Sequence, residues 1–339
     1  PLFTLSYTGI NGGLVIVTAD DPQMHSSQNE QDNRHYAIAS KVPMLEPADS
    51  AESYAFMKAA FGLSEEYDTP ILFRMTTRVC HAQGVVTLGE REEVPLKVYA
   101  KNFEKFVALP NNARKRHPVV EARLEAMAAF GRDCPFNRIE WGTKELGIVT
   151  SGVSYQYVKE VFPGVSVLKY GLTYPLNLDL AREFAKEVKT LVVIEEGDPI
   201  LENTLRAAGI TVHQGKDKTG LLGELSVDRL RRAFGFPVKE GLKTLVTVPN
   251  RPPSLCAGCS HRGVFFGLKM EKATVMGDIG CYTLGALPPL SAIDTCVCMG
   301  ASISGSTGFS KARPDGEHKL ACVIGDSTFL HSGITGLID

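Results

Sequence analysis

No apolar run in this sequence approaches the ~20 residues that cross a bilayer, and the opening Pro1-Leu2-Phe3-Thr4 lacks the basic stretch and long apolar segment of a secretory leader. The protein is therefore expected off the membrane and in the cytoplasm. Charge of one sign is missing too. Lys and Arg number 36 against 38 Asp and Glu, for a formal net charge of −2, so there is no basic field to attract nucleic acid and no nucleic-acid partner is expected. Cysteine is sparse: eight in 339 residues is too few for a disulfide scaffold at this length. Six of the eight crowd between Cys256 and Cys322, which points to metal or redox use in a reducing compartment. Internal repeats and low-complexity segments are absent as well.

What is present describes a globular protein. Hydrophobic residues make up 44% and charged residues 22%, and the length is enough for two or three domains with separate cores. Leu14–Ala19 and Pro70–Thr76 read as short strands, and between them Ala51–Leu63 carries apolar residues at helical spacing behind Asp49 and Ser50, either of which can cap it. That order is the unit of a parallel sheet. From Leu88 to Arg138 the pattern weakens, and the basic cluster Ala113-Arg114-Lys115-Arg116-His117 is read as a solvated linker or helix face. A second α/β unit follows: strands at 146–150, 165–169 and 191–195, with helical patterns at 155–162, 179–188 and about 200–208. The fold class is thus α/β, multidomain, with parallel sheets flanked by helices.

The most informative stretch is Leu320-Ala321-Cys322-Val323-Ile324-Gly325-Asp326-Ser327, an apolar strand emptying into a Gly-Asp-Ser turn that opens a helix. Gly325 leaves room for a ligand against the backbone, Asp326 offers the hard oxygen that Mg2+ prefers, and Ser327 can cap a helix whose N–H groups face an anion. In a parallel α/β sheet the end of such a strand is where ligands sit. Gly-Asp alone is cheap, however, and recurs at Gly197-Asp198 and Gly277-Asp278.

The turn has company. Upstream lie Cys256-Ala257-Gly258-Cys259-Ser260-His261-Arg262, then Gly277-Asp278-Ile279-Gly280-Cys281-Tyr282-Thr283-Leu284-Gly285, then Cys298-Met299-Gly300-Ala301-Ser302-Ile303-Ser304-Gly305. In this order they resemble the thiamine-diphosphate-binding domain of the 2-oxoacid:ferredoxin oxidoreductases, most of all the alpha subunits of indolepyruvate ferredoxin oxidoreductases. Independently, Tyr7-Thr8-Gly9-Ile10-Asn11-Gly12-Gly13, Ala19-Asp20-Asp21-Pro22 and Ser26-Ser27-Gln28-Asn29-Glu30-Gln31-Asp32 are similar to that family's pyrimidine-binding domain. Pro43-Met44-Leu45-Glu46-Pro47 and Arg74-Met75-Thr76-Thr77-Arg78 belong to the same pattern.

The resemblance implies a multidomain thiamine-diphosphate-binding fold. Its layout would be a pyrimidine-binding part at 1–90, a linker at 91–140, a transketolase C-terminal-like domain at 141–217, a linker at 218–250 and a diphosphate-side domain at 251–339. Because the chain starts without Met inside a motif and stops soon after the Gly-Asp-Ser turn, a fragment is expected, with the activating Glu, a second Mg2+ ligand and a ferredoxin-like tail lying outside it. The implied activity is oxidative decarboxylation of an aryl 2-oxoacid such as indolepyruvate to an acyl-coenzyme A, with electrons passed through [4Fe–4S] clusters to ferredoxin. A smaller beta subunit and a dimer of catalytic subunits are implied partners. A non-oxidative thiamine-diphosphate-dependent decarboxylase or synthase, and a non-catalytic assembly module, are the competing readings.

Site residues follow from the same motifs. Asp326 is the expected Mg2+ ligand. Gly325, Ser327, Gly280, Cys281 and Gly300 are expected around the cofactor, with Thr8, Gly9, Ser26, Ser27 and Gln28 from the pyrimidine side. For each of these five the plain alternative is a turn or cap residue. His331, shortly past Asp326, and His261, after the Cys-rich loop, are the candidate catalytic groups; a helix-face hydrogen bond is the alternative for His331. Cys256 and Cys259 have the spacing of cluster ligands and Cys281 would be a third; the alternative is that all three shape the pocket and bind nothing. Cys296 and Cys298 are expected to be core thiols.

Overall fold

A computed structural model describes all residues except 239, 240, 242–245, 248, 250 and 314–318. The chain separates into two compact units, Pro1–Gly241 and Leu242–Asp339. Their strands, in chain order, are β1 (Val15–Asp20), β2 (Met44–Leu45), β3 (Ile71–Thr76), β4 (Arg138–Glu140), β5 (Thr143–Ser151), β6 (Val165–Tyr170), β7 (Leu172–Tyr174), β8 (Thr190–Ile194), β9 (Thr274–Gly277), β10 (Thr295–Cys296) and β11 (Leu320–Cys322). Among the described residues no helix is long and apolar enough to cross a membrane.

The first unit holds two sheets. One has the order β1-β3-β2-β7 and is parallel except for β7, which runs antiparallel to β2. The helix Ser50–Glu66 covers one of its faces with Phe56, Ala60 and Leu63 against Leu45, Ile71 and Phe73. Asp49 starts that helix by accepting the Glu52 N–H at 2.9 Å, so of the two caps the sequence offered Asp49 is the one used and Ser50 is the first helical residue. The opposite face packs Met44 and Leu72 on Ala37 of the helix Arg34–Ser40. Strands covered on both faces read as continuous apolar runs, and each large side chain buried this way contributes about 1.5–3 kcal/mol.

The second sheet has the order β4-β6-β5-β8, parallel apart from the edge strand β4. Helices Leu178–Glu187 and Ile200–Ala207 cover one face through Phe184, Leu201 and Leu205. Helices Ser154–Val161 and Val227–Ala233 cover the other through Val158, Val161 and Leu230. Val227–Ala233 lies within a stretch expected to be linker, of which much of 239–250 falls outside the described residues. The stretch expected as linker at 91–140 likewise contains the 21-residue helix Pro110–Phe130, with Val120 and Met127 buried. Its basic cluster is a helix face with specific partners: Arg116 donates to Asp68 at 2.6 Å and to the Tyr7 carbonyl at 2.8 Å.

The second unit has a smaller parallel sheet, β10-β9-β11. Phe265, Tyr282 and Ala292 form its buried cluster, supported by Leu268, Leu290, Ile293 and Val323.

Candidate functional site

At the C-terminal ends of β9, β10 and β11 three chain segments converge. The Asp278 side chain, fully buried, follows β9. It accepts the Ile279 N–H at 2.8 Å with Oδ1, and the Gly300 N–H at 2.8 Å and the Ser302 hydroxyl at 3.0 Å with Oδ2. Gly300 sits at φ 91°, and a Cβ there would lie 2.7 Å from Ser332 Cβ, so both backbone and space call for glycine. Tyr282 bridges the remaining gap: its hydroxyl accepts the Gly325 N–H at 2.9 Å and donates to the Ile279 carbonyl at 3.0 Å. The turn after β9 is thereby bolted to the Gly-Asp-Ser turn after β11.

That turn opens the helical run Asp326–Ile338, made of an α start, a π segment Phe329–Gly333 and an α end. Gly325 is the N-cap and no side chain caps the run. Ser327 lies inside the first turn instead of capping it, because the helix begins two residues earlier than a Ser327 cap would set. The Asp326 and Ser327 side chains are exposed, and no described residue engages the Asp326 carboxylate. A hard, unengaged carboxylate beside a glycine fits a Mg2+–diphosphate anchor. His331 falls in the π segment, exposed, with Nδ1 2.6 Å from Ser332 Oγ. Gly280 adopts an extended φ, and a Cβ there would meet the Tyr282 ring at 2.5 Å.

Beside this turn lies the Cys-rich loop. His261 Nδ1 is 3.3 Å from Cys259 Sγ, and its ring meets Tyr282 edge-on at 5.7 Å between centroids. Cys256 and Cys281 are exposed and Cys259 is half-buried, all as free thiols. Among the described residues no group of three or more His, Cys, Asp or Glu is placed to hold a metal ion. Cys298 is exposed and Cys296 half-buried, so neither is the core thiol expected from its apolar neighbours; β10 is a two-residue edge strand, and Val297 between the two is exposed as well.

The first unit separates residues the sequence grouped together. Gly9, at φ 68°, ends the helix Leu2–Thr8, and a Cβ on it would run into the Asp68 carboxylate. Thr8 bonds its own helix through the Leu5 carbonyl at 3.2 Å. Both lie before β1, with Asp68, which precedes β3, on the same sheet edge. Ser26, Ser27 and Gln28 are exposed in the loop after β1, at the other edge. There Asp21 anchors the loop, accepting the Ser26 N–H at 2.8 Å, the Ser27 N–H at 3.0 Å and the Thr77 hydroxyl at 2.7 Å. These bonds hold the Asp21 carboxyl well below the usual carboxylate range.

The loop closes on a buried ion network that the sequence reading missed. Arg34 is 1% exposed and bridges Asp32 at 2.5 Å to Glu195 at 2.6 Å. Arg74 is 0% exposed and donates to Asp20 at 2.6 Å and Glu46 at 2.5 Å. Burial works to raise the Asp32 carboxyl, but Arg74 and Arg34 outweigh it and hold the group below its ordinary range. Burial likewise opposes the charge on Arg34, and Asp32 and Glu195 overcome it. Only the residue types were visible in sequence, because Arg34 and Glu195 stand 161 positions apart.

Residues 278–339 match the family described as thiamine pyrophosphate enzyme, C-terminal TPP binding domain. The chain is 40% identical to indolepyruvate oxidoreductase subunit IorA of Methanothermobacter thermautotrophicus, over 98% of this chain and 58% of that protein. The IorA subunit of Archaeoglobus fulgidus is 37% identical over 100% of this chain and 58% of its own length. Among solved structures, the 2-oxoglutarate:ferredoxin oxidoreductase of Magnetococcus marinus superposes with a TM-score of 0.50 at 15% identity, covering 68% of this chain and 50% of that one. That likeness bears on the fold alone.

Proposed function

We propose that this chain, which spans 58% of the length of the IorA subunits it resembles, carries the diphosphate anchor and part of the pyrimidine side of a thiamine-diphosphate-dependent 2-oxoacid oxidoreductase. The reaction is oxidative decarboxylation of an aryl 2-oxoacid, indolepyruvate, to an acyl-coenzyme A with electrons delivered to ferredoxin. One observation carries the reading: the Gly325-Asp326-Ser327 turn, inside the matched region, presents an unengaged carboxylate at the end of a parallel strand. Ferredoxin, coenzyme A, a smaller beta subunit, a dimer of catalytic subunits and a cytoplasmic setting come from the motif resemblance.

Thiamine diphosphate, when bound, supplies the carbanion and the electron sink for the 2-oxo carbon. The chain's own residues bind and orient. Asp326 contributes one Mg2+ ligand. Gly325, Ser327, Gly280, Cys281 and Gly300 let the backbone approach the cofactor, with Asp278 and Tyr282 fixing their turns. His261 and His331 are the groups able to hold or move a proton beside the substrate. Thr8, Gly9, Ser26, Ser27 and Gln28 belong to the pyrimidine side, Ser26–Gln28 as contact residues and Thr8–Gly9 as the lead into β1. Cys256, Cys259 and Cys281 shape the pocket beside the cofactor; among the described residues they are not grouped to hold a metal ion, so a [4Fe–4S] centre on these three is not part of this reading.

The test is indolepyruvate-dependent reduction of ferredoxin by the intact enzyme with its partner subunit. It should require thiamine diphosphate, Mg2+ and coenzyme A together. Coenzyme-A-independent release of an aldehyde without ferredoxin reduction would sink the oxidative reading in favour of a simple decarboxylase.

A further inference from the structure

Beside the Cys281–Ala286 turn lies a cavity of about 700 Å³, within the 300–1,000 Å³ range of small-molecule sites. Its wall is apolar: Leu255, Phe266, Leu284, Leu287 and Leu290, with prolines between them. Among the described residues Arg262 is the one charged member of the lining. We propose that this cavity receives the aromatic ring of the 2-oxoacid and that Arg262 pairs with the substrate carboxylate, an assignment that rests on the function proposed above.

Three features favour a small aryl acid over a polypeptide segment. The cavity pairs a broad apolar wall with a single guanidinium, which is the composition of an aromatic acid in mirror image. Arg262 is tied to the wall through the Leu255 carbonyl, and its other N–H groups meet no acceptor among the described residues. It therefore stands oriented with donors to spare for a carboxylate. Third, the wall and the cofactor anchor share one turn. Leu284 lines the cavity, while Tyr282, two residues earlier, holds Gly325 and touches the His261 ring. The turn that walls the cavity is thereby tied directly to the Gly-Asp-Ser turn.

Gly263 offers a clean test. It lines the cavity, and a Cβ built on it meets nothing within 4 Å. It lies within the helix Ser260–Met270, where leucine is the better helix former. Gly263→Leu should fill the cavity without a clash. In the intact holoenzyme the ratio of kcat/KM for indolepyruvate to that for pyruvate should fall about tenfold or more, mostly through KM for the aryl acid. Leu287→Trp, at a position already 42% exposed, should lower the same ratio, and thiamine diphosphate affinity measured on both proteins reports their folding. An unchanged ratio in variants that still bind the cofactor would overturn the assignment. Loss of subunit assembly with the ratio unchanged would overturn it too, and would make the cavity a protein interface. A wild-type enzyme inert toward every aryl 2-oxoacid would instead sink the proposed function itself.

Discussion

Two strand-end regions occupy the same architectural position and are finished in opposite ways. In Pro1–Gly241 the C-terminal ends of β1, β2, β3 and β8 are filled from within: Arg74 takes up Asp20 and Glu46, and Arg34 takes up Asp32 and Glu195. In Leu242–Asp339 the ends of β9 and β11 are braced by Asp278 and Tyr282, yet Asp326 is left in the open. Ligands sit at the C-terminal edge of parallel strands because loops diverge there. Most of the charge at the first edge is spent on holding its loop in place, although Asp20 Oδ1 and Glu46 Oε2 meet no hydrogen-bond partner among the described residues. The second edge leaves a whole carboxylate exposed and unengaged.

The comparison can be broken most forcefully at Arg34. Arg34→Met would leave Asp32 and Glu195 buried without their counter-ion, and removing one partner of a buried pair costs about 3–5 kcal/mol. Denaturant unfolding should show that loss, while the cofactor affinity of protein that remains folded should change little. A variant as stable as the parent would mean that the network contributes nothing and that the first edge is not closed by charge.

The next largest effect belongs to the open edge and has the reverse signature. Asp326→Ala should weaken Mg2+-dependent thiamine diphosphate binding at least about 100-fold, with the unfolding transition nearly unmoved because the side chain is exposed and unpartnered. Calorimetric titration of cofactor with Mg2+ reads the first and thermal unfolding the second. Near-normal affinity would remove Asp326 from the metal site.

The smallest effect sharpens the contrast through pH. Glu196 is buried beside the network, with Oε1 accepting the Leu225 N–H at 2.9 Å. Burial raises its carboxyl above the ordinary 4.5. The folded protein thus keeps this proton where the unfolded chain has lost it. The associated stability is fully present below pH 4.5 and is lost as pH rises through the higher folded value. One proton gives a slope of at most about 1.4 kcal/mol per pH unit. Glu196→Gln keeps an acceptor for Leu225 and should remove that slope. Asp32 has the opposite sign: its depressed carboxyl stabilises above the ordinary 3.8 and stops doing so as pH falls. Parallel stability curves for parent and Glu196→Gln across this window would contradict the raised carboxyl.

Much of the architecture was legible because it is local. Strand runs such as Ile71–Thr76 and Leu191–Ile194, the Asp49 cap and the Gly-Asp-Ser turn are each written in a few adjacent residues, where period, cap chemistry and glycine speak for themselves. The helix Pro110–Phe130 was not legible, since its charged surface hides a narrow buried stripe of Val120 and Met127 and it carries Pro118 inside. The glycines carry a constraint that the sequence did not show. Asp68 and Ser332 fill the space that a Cβ on Gly9 or Gly300 would need, so each has a packing reason for glycine besides the cofactor contact expected of it.

The amino-acid order by itself determined the alternation of strands and helices, the parallel sheet class and the placing of Asp326 at a strand end, because each depends on neighbours a few positions apart. Only the tertiary structure decided which polar groups are partnered: the Arg34 guanidinium with the Glu195 carboxylate, the Gly300 N–H with Asp278, the Gly325 N–H with Tyr282, and the antiparallel docking of β7 beside β2. These contacts join residues 22 to 161 positions apart. No periodicity encodes such pairings, and they exist because burying a charge or a backbone N–H is tolerable only where the fold brings it a partner.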